Sequence, residues 1–219
     1  MKPQRATVRF QGFALIDLLF IILIVVAAAL FLRPHSRISR APKITCMNHL
    51  WEIGRAFRDW TPPDEKAQDP AHFPMAVSTN KGGALEFIAT DEVFRIFQVL
   101  SNQLTNTQVL ICPSDKRKMA RNFASLKNEN LSYFVGLNAD ETMPQMFLAG
   151  DRNLTNNGAS TRKGVAMIDT TNTIGWNASM HNCQGMVLLA DGSVQGFTSS
   201  GLQQALRHTG TNVTRLAIP

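Results

Sequence analysis

The residues able to do chemistry stand far apart in this chain. Asp17 is the one acidic residue in the apolar run FALIDLLFIILIVVAAALFL at 13–32. His181 is separated by nine residues from Asp191-Gly192, in HNCQGMVLLADG, and the cysteines are Cys46, Cys112 and Cys183. A carboxylate near the centre of a membrane-spanning helix costs about 2.5–3.5 kcal/mol, so Asp17 calls for a compensating partner or a route to water by snorkelling. Asp-Gly is first of all a hairpin-turn signal, Gly for backbone geometry and Asp for a side-chain bond to the turn. His181, near the base of the preceding strand, more readily bonds a neighbouring loop than a metal. The cysteines show no metal-ligand spacing. In an extracytoplasmic domain two of them could pair and leave one thiol over.

No enzyme signature is present: there is no G-x-S-x-G elbow, H-E-x-x-H, Walker loop or Rossmann glycine run. His35, His49, His72 and His208 stand among polar or basic neighbours and read as solvated surface. GDRN at 150–153 reads as a loop braced by Arg152 rather than a catalytic acid, and Trp51, Trp60 and Trp176 as core or helix-packing residues. The chain is expected not to be an enzyme.

The elements that would position these residues follow from hydrophobic patterning. As a helix, 13–32 would be about 30 Å long, the thickness of a bilayer core. A secretory signal cut after Ala27, Ala28 and Ala29 is a rival reading, but the apolar run continues through Leu30, Phe31 and Leu32. The formal charge is +6 over 219 residues. Its excess comes from Lys2, Arg5 and Arg9 before the span and Arg33, Arg37, Arg40 and Lys43 after it, so no nucleic-acid partner is expected. Positives on both sides also leave the positive-inside rule undecided.

Beyond a break or kink at Pro34, Ile44, Met47, Leu50, Ile53, Gly54, Phe57 and Trp60 recur at three- and four-residue spacings, an amphipathic helix ended by Pro62-Pro63. The segment 61–83 reads as a loop. Thr90 is placed to cap a helix over 91–104 with Val93, Phe94, Phe97, Leu100 and Leu104 buried. Short apolar runs at 109–112, 133–137, 146–150 and 165–169 read as strands. The hairpin at 185–197 turns on Asp191-Gly192, and a helix over 200–207 finishes the chain. The expected class is α+β: one long, bent N-terminal helix packed on a small antiparallel sheet.

Several of these segments carry a resemblance. GFALIDLL resembles the type IV prepilin cleavage and methylation motif, GFTLIELL after a short basic leader, with Asp17 in place of the usual Glu. The resemblance implies cleavage by a prepilin peptidase between Gly12 and Phe13, N-methylation of Phe13, and pairing of Asp17 with the terminal amine of a neighbouring subunit during assembly. One methylene less shortens the reach of Asp17 to that amine. CMNHLWEIG at 46–54, ICPSD at 111–115, SYFVGLNADE at 132–141, LAGDRN at 148–153 and the His181-X9-Asp191-Gly192 pattern are similar to a prepilin-like family with a branch of type II secretion pseudopilins. Cys46 and Cys112 match positions where that family carries cysteine, which implies a disulfide or two buried thiols. Some pseudopilins bind calcium, for which Asp191, Asp151 or Asp140 are the candidate ligands, although no loop shows the dense D-x-D-x-D pattern; no metal or other cofactor is assigned.

The resemblance implies a leader at 1–12, a transmembrane helix at 13–32, its amphipathic continuation at 33–60 and a periplasmic head at 61–219. The expected role is a pseudopilin of a type II secretion system, anchored in a bacterial inner membrane with its N-terminus cytoplasmic. Its partners would be the prepilin peptidase, membrane lipid, other pseudopilins and copies of itself, and the inner-membrane secretion platform. A minor type IV pilin for adhesion or DNA uptake, and a membrane-anchored binding domain that never polymerises, are the alternatives.

Overall fold

The computed structural model describes residues 15–31, 40–62 and 73–219. They fall into two compact units, 1–37 and 38–219. In the first, helix α1 (Leu15–Phe31) is apolar apart from Asp17 in its first turn, and its side chains from 16 to 28 are exposed. Its 17 residues rise about 25 Å, and among the described residues no helix is long and apolar enough to cross a membrane. Gly12, Phe13, Pro34 and the expected helical continuation at 33–39 lie outside the described residues.

The second unit is α+β. Helix α2 (Arg40–Asp59) leads into it, followed by a series of 3-10 turns and the short helix α3 (Phe94–Val99). The strands are β1 (Tyr133–Gly136), β2 (Phe147–Asp151), β3 (Leu154–Asn156), β4 (Ala159–Ser160), β5 (Gly164–Asp169), β6 (Ile174–Trp176), β7 (Gln184–Leu189) and β8 (Val194–Thr198); helix α4 (Ser199–Arg207) and strand β9 (Val213–Ile218) complete the chain. The larger sheet runs β5-β9-β1-β2-β7-β8 and the smaller β4-β3-β6. Every pairing is antiparallel.

The larger sheet is covered on both faces, as its apolar central strands require. On one face Tyr133, Val135, Leu148, Met186, Leu188 and Ala217 pack with α2. On the other, Phe134, Phe147, Val187, Leu189, Leu216 and Ile218 pack with Trp176 and with Leu202 and Leu206 of α4. The period-2 alternation slips once, where the β2–β7 register shifts between Phe147 and Ala149 and turns both Leu148 and Ala149 toward α2.

Four expectations need correction. Ile44 and Met47 do not belong to the buried stripe of α2; Cys46, Leu50, Ile53, Phe57 and Trp60 do. At about 100° per residue Ile44 and Met47 project well to the side of that stripe, as does Trp51, which is exposed beneath the Arg55 guanidinium. The helix over 91–104 shrinks to α3, because Thr90 turns its hydroxyl back to the Phe87 carbonyl and the N-terminal turn is capped by Asn128, whose Oδ1 accepts from Phe94 N–H at 3.1 Å. The run 109–112 is no strand: Asn106 Oδ1 caps a 3-10 turn over Thr107–Leu110. Finally, α4 does not end the fold, since β9 follows and inserts between β5 and β1.

Candidate functional site: a buried histidine, aspartate and disulfide

The motif fragments scattered through the sequence meet at one end of β7. Cys46 on α2 is joined by a disulfide to Cys112, across a sequence separation of 66 residues, and both are fully buried. His181 lies against this bridge. Its Nε2 is 3.2 Å from Cys112 Sγ and 3.4 Å from Asp151 Oδ2, and its Nδ1 is 3.2 Å from Ser114 Oγ. A disulfide sulfur carries no proton, so it cannot donate to Nε2, and the ring is held between the Asp151 carboxyl on one nitrogen and the Ser114 hydroxyl on the other.

The three residues Asp151, Arg152 and Asn153 at the end of β2 each organise a different neighbour. Asp151 Oδ2 accepts the Met186 N–H of β7 at 2.8 Å. Arg152 makes a two-pronged ion pair with Asp115, both contacts 2.7 Å, which bears out the brace expected of it. Asn153 donates to the carbonyls of Asn177, Met180 and Gln184 and closes the loop before β7. That loop delivers His181 through an uncommon backbone: His181, Asn182 and Cys183 are all left-handed, with φ of 51°, 53° and 59°. Non-glycine residues there are strained, and such strain is held only where surrounding contacts over-determine it.

Burial sets the protonation of the cluster. It pushes the Asp151 carboxyl up to about 7, with the Asp115 charge adding to the rise and the Met186 N–H partly offsetting it. Burial, and then the Lys43 charge, hold His181 below its ordinary value. Asp115 is also partly buried, which alone would raise it, but the bonds and charge of Arg152 outweigh this and hold it below the usual carboxylate range. The pair His181 and Asp151 therefore favours neutral imidazole beside neutral carboxylic acid. Asp151 Oδ1 is buried and has no hydrogen-bond partner among the described residues.

The nine-residue spacing of His181 and Asp191-Gly192 is the length of β7 with its two turns. This strand runs alongside α2 and is fastened to it at three levels. Near its start Lys43 Nζ bonds Gln184 Oε1. In the middle Gly54 admits Leu188, whose Cδ1 would stand 2.8 Å from a Cβ there. At the far end Arg58 Nη1 donates to the Asp191 carbonyl at 3.1 Å. Fifteen helical residues and seven extended ones both advance about 23 Å, so the contacts stay in step.

Asp191 bonds the Ser193 N–H at 2.8 Å and Gly192 N–H closes the turn on the Leu189 carbonyl. Only Gly192 in this turn takes a positive φ, 82°, giving a three-residue hairpin loop rather than a two-residue one. A Cβ on Gly192 would fall 1.8 Å from Arg58 Nη1. Gly192→Ala should therefore lower unfolding stability by roughly 1–2 kcal/mol in chemical denaturation, through the left-handed backbone and the displaced guanidinium.

Of the sequence-predicted residues, the structure gathers Cys46, Cys112 and His181, puts Asp191 and Gly192 at the opposite end of β7, and holds Asp17 in the other unit. The calcium candidates are not gathered: Asp140 accepts from Thr142, Asp191 holds its turn and Asp151 is buried beside His181. Sequence reasoning missed Ser114, Asp115 and the pairing of Asp151 with His181; the fragments ICPSD and LAGDRN were the available signal. It also misread His49, half-buried with Nδ1 2.9 Å from the Ile111 carbonyl. His208, by contrast, is exposed as expected, and Trp60 and Trp176 are buried. No family model matches the chain, and neither a curated protein nor a solved structure matches it.

Proposed function

We propose that the chain is a structural pseudopilin of a type II secretion system, cut and methylated by a prepilin peptidase and assembled into a periplasmic filament that drives protein export. The observation that carries this reading is GFALIDLL itself, a peptidase-type junction at Gly12-Phe13 opening an apolar run whose one acidic residue is Asp17. It is supported by the α+β head, in which the amphipathic α2 is covalently tied to the segment that follows the Thr107–Leu110 turn. In this reading 13–32 anchors the chain in the inner membrane with the head in the periplasm. Subunits leave the bilayer as the apolar helices of neighbours replace lipid, and the Phe13 amine pairs with Asp17 of the adjacent subunit, so that two costly charges are neutralised together. Filament force enters through the N-terminal helix. The disulfide and the three contacts between α2 and β7 pass it to the head as shear along a stapled interface.

The test is the N-terminal mass of the chain expressed with and without a prepilin peptidase. A peptidase-dependent product beginning at N-methyl-Phe13 is expected; an intact Met1, or a cut near Ala29, refutes the reading. Asp17→Ala should leave the cut unchanged and reduce filament yield roughly a hundredfold, the factor matching an uncompensated charge of about 2.5–3.5 kcal/mol. Filaments counted by electron microscopy after shearing provide the readout, and normal numbers would remove Asp17 from assembly.

A further inference from the structure

Among the described residues, one group of three metal-ligating side chains is dense enough to surround an ion. The ligand atoms of Cys46, Cys112 and His181 all lie within 4.8 Å of one another, and all three residues are buried. Asp151 stands beside them, its Oδ2 3.4 Å from His181 Nε2. In a tetrahedral zinc site, sulfur and imidazole nitrogen sit about 3.5 Å apart, and nitrogen and carboxylate oxygen about 3.3 Å. The observed separations are 3.2 Å from Nε2 to Cys112 Sγ and 3.4 Å from Nε2 to Asp151 Oδ2. Two edges of a tetrahedron, both meeting at Nε2, are thus already near their lengths. The two sulfurs must separate from bonding distance to about 3.8 Å, and the Asp151 carboxylate, which is not one of the group within 4.8 Å, must approach them.

We propose that, once the Cys46–Cys112 disulfide is reduced by a dithiol, the chain binds a single thiophilic divalent cation, zinc foremost, through both cysteine sulfurs, His181 Nε2 and the Asp151 carboxylate. In the reduction the dithiol gives two electrons and two protons to the bridge, the S–S bond breaks, and the dithiol leaves as its own disulfide. In the binding step the two thiols and the Asp151 carboxyl release their protons as their sulfur and oxygen lone pairs fill metal orbitals. His181 gives its Nε2 lone pair and carries its proton on Nδ1, where Ser114 Oγ, at 3.2 Å, accepts it. An orienting hydrogen bond on the far ring nitrogen is what a ligating histidine requires. The strained left-handed run at 181–183 fixes the ring against the sulfurs in either state. Oxidised, the site is a covalent staple between α2 and the segment after the Thr107–Leu110 turn; reduced, it is a metal staple at the same place. The proposal stands independently of the secretion role.

Cobalt(II) is the probe. Full-length chain in detergent is reduced with a water-soluble phosphine, which is converted to its oxide and is a poor competitor for the metal, and is then titrated with cobalt under argon. The expected result is about one equivalent bound per chain, with a thiolate-to-cobalt charge-transfer band and intense tetrahedral ligand-field bands that zinc abolishes. The oxidised chain should give no such bands. His181→Asn and Asp151→Asn should each weaken binding at least tenfold, while Cys183→Ser leaves it unchanged. A reduced, folded chain without tetrahedral bands overturns the proposal, as does undiminished affinity in His181→Asn or loss of the bands in Cys183→Ser. Should the reduced chain lose its near-ultraviolet circular dichroism, zinc must restore it; a signal that zinc fails to restore also overturns the proposal.

Discussion

Replacing both members of the bridge, Cys46→Ala with Cys112→Ala, is expected to lower the unfolding free energy of the head by about 4 kcal/mol, the chain-entropy value for closing a loop of this length. The loop spans 66 residues of separation and contains the 3-10 turns between Pro74 and Leu110 and the helix α3, with no strand among its described residues. What organises that region is apolar packing. Phe73, Met75, Ile96, Phe97 and Leu110 share one core with Cys46, Leu50, Ile53 and Phe57 of α2. Releasing the bridge gives the unfolded chain more freedom while leaving that packing in place, so the folded state should survive with a lower midpoint. Urea unfolding of the full chain, monitored by tryptophan fluorescence with Trp60 and Trp176 in the core, gives the number. A loss below about 1 kcal/mol would mean that the denatured ensemble is already held compact without the bridge.

The parts of the fold that could be read locally are those whose determinants are local. The apolar run contains α1, the period of Leu50, Ile53, Phe57 and Trp60 marks α2, and Asp191-Gly192 marks the β7–β8 hairpin. What escaped depends on partners distant in sequence. Val109, Leu110, Ile111 and Cys112 have strand-forming composition, but Asn106 caps the turn and Leu110 gives its carbonyl to the Ser132 N–H, so no ladder forms. α3 begins where it does because of Asn128, 34 residues away from Phe94. β9 is a short, ambiguous apolar run that becomes a strand by filling the gap between β5 and β1. The site divides in the same way. His181 and the cysteines stand out by type, whereas Asp151 looks like any acid after a strand until folding removes it from water beside an imidazole.

That desolvated pair carries the second large effect, seen by varying pH with the disulfide intact. The unfolded chain ionises Asp151 above its ordinary 3.8 and keeps His181 protonated below 6.5. Between these values it holds one proton on the pair, on the histidine. The folded chain, with Asp151 raised to about 7 and His181 lowered, also holds one proton, now on the aspartate. Equal proton counts mean no slope, so wild-type stability should be nearly independent of pH where the two shifts overlap. Each single variant exposes the slope the other hid.

In His181→Gln only the raised carboxyl remains. Its contribution is full below pH 3.8 and is lost as pH rises through about 7, a fall approaching 4 kcal/mol. In Asp151→Asn only the lowered imidazole remains, and stability should climb with pH until 6.5. Opposite slopes from two neighbouring substitutions distinguish a buried proton exchange from general surface electrostatics, since Asp115, paired to Arg152, is held below its ordinary value. Denaturant unfolding of the three proteins across pH roughly 4 to 8 measures the slopes. Parallel curves for wild type and both variants would mean that water reaches the pair and that His181 and Asp151 ionise in the folded head as they do in the unfolded chain.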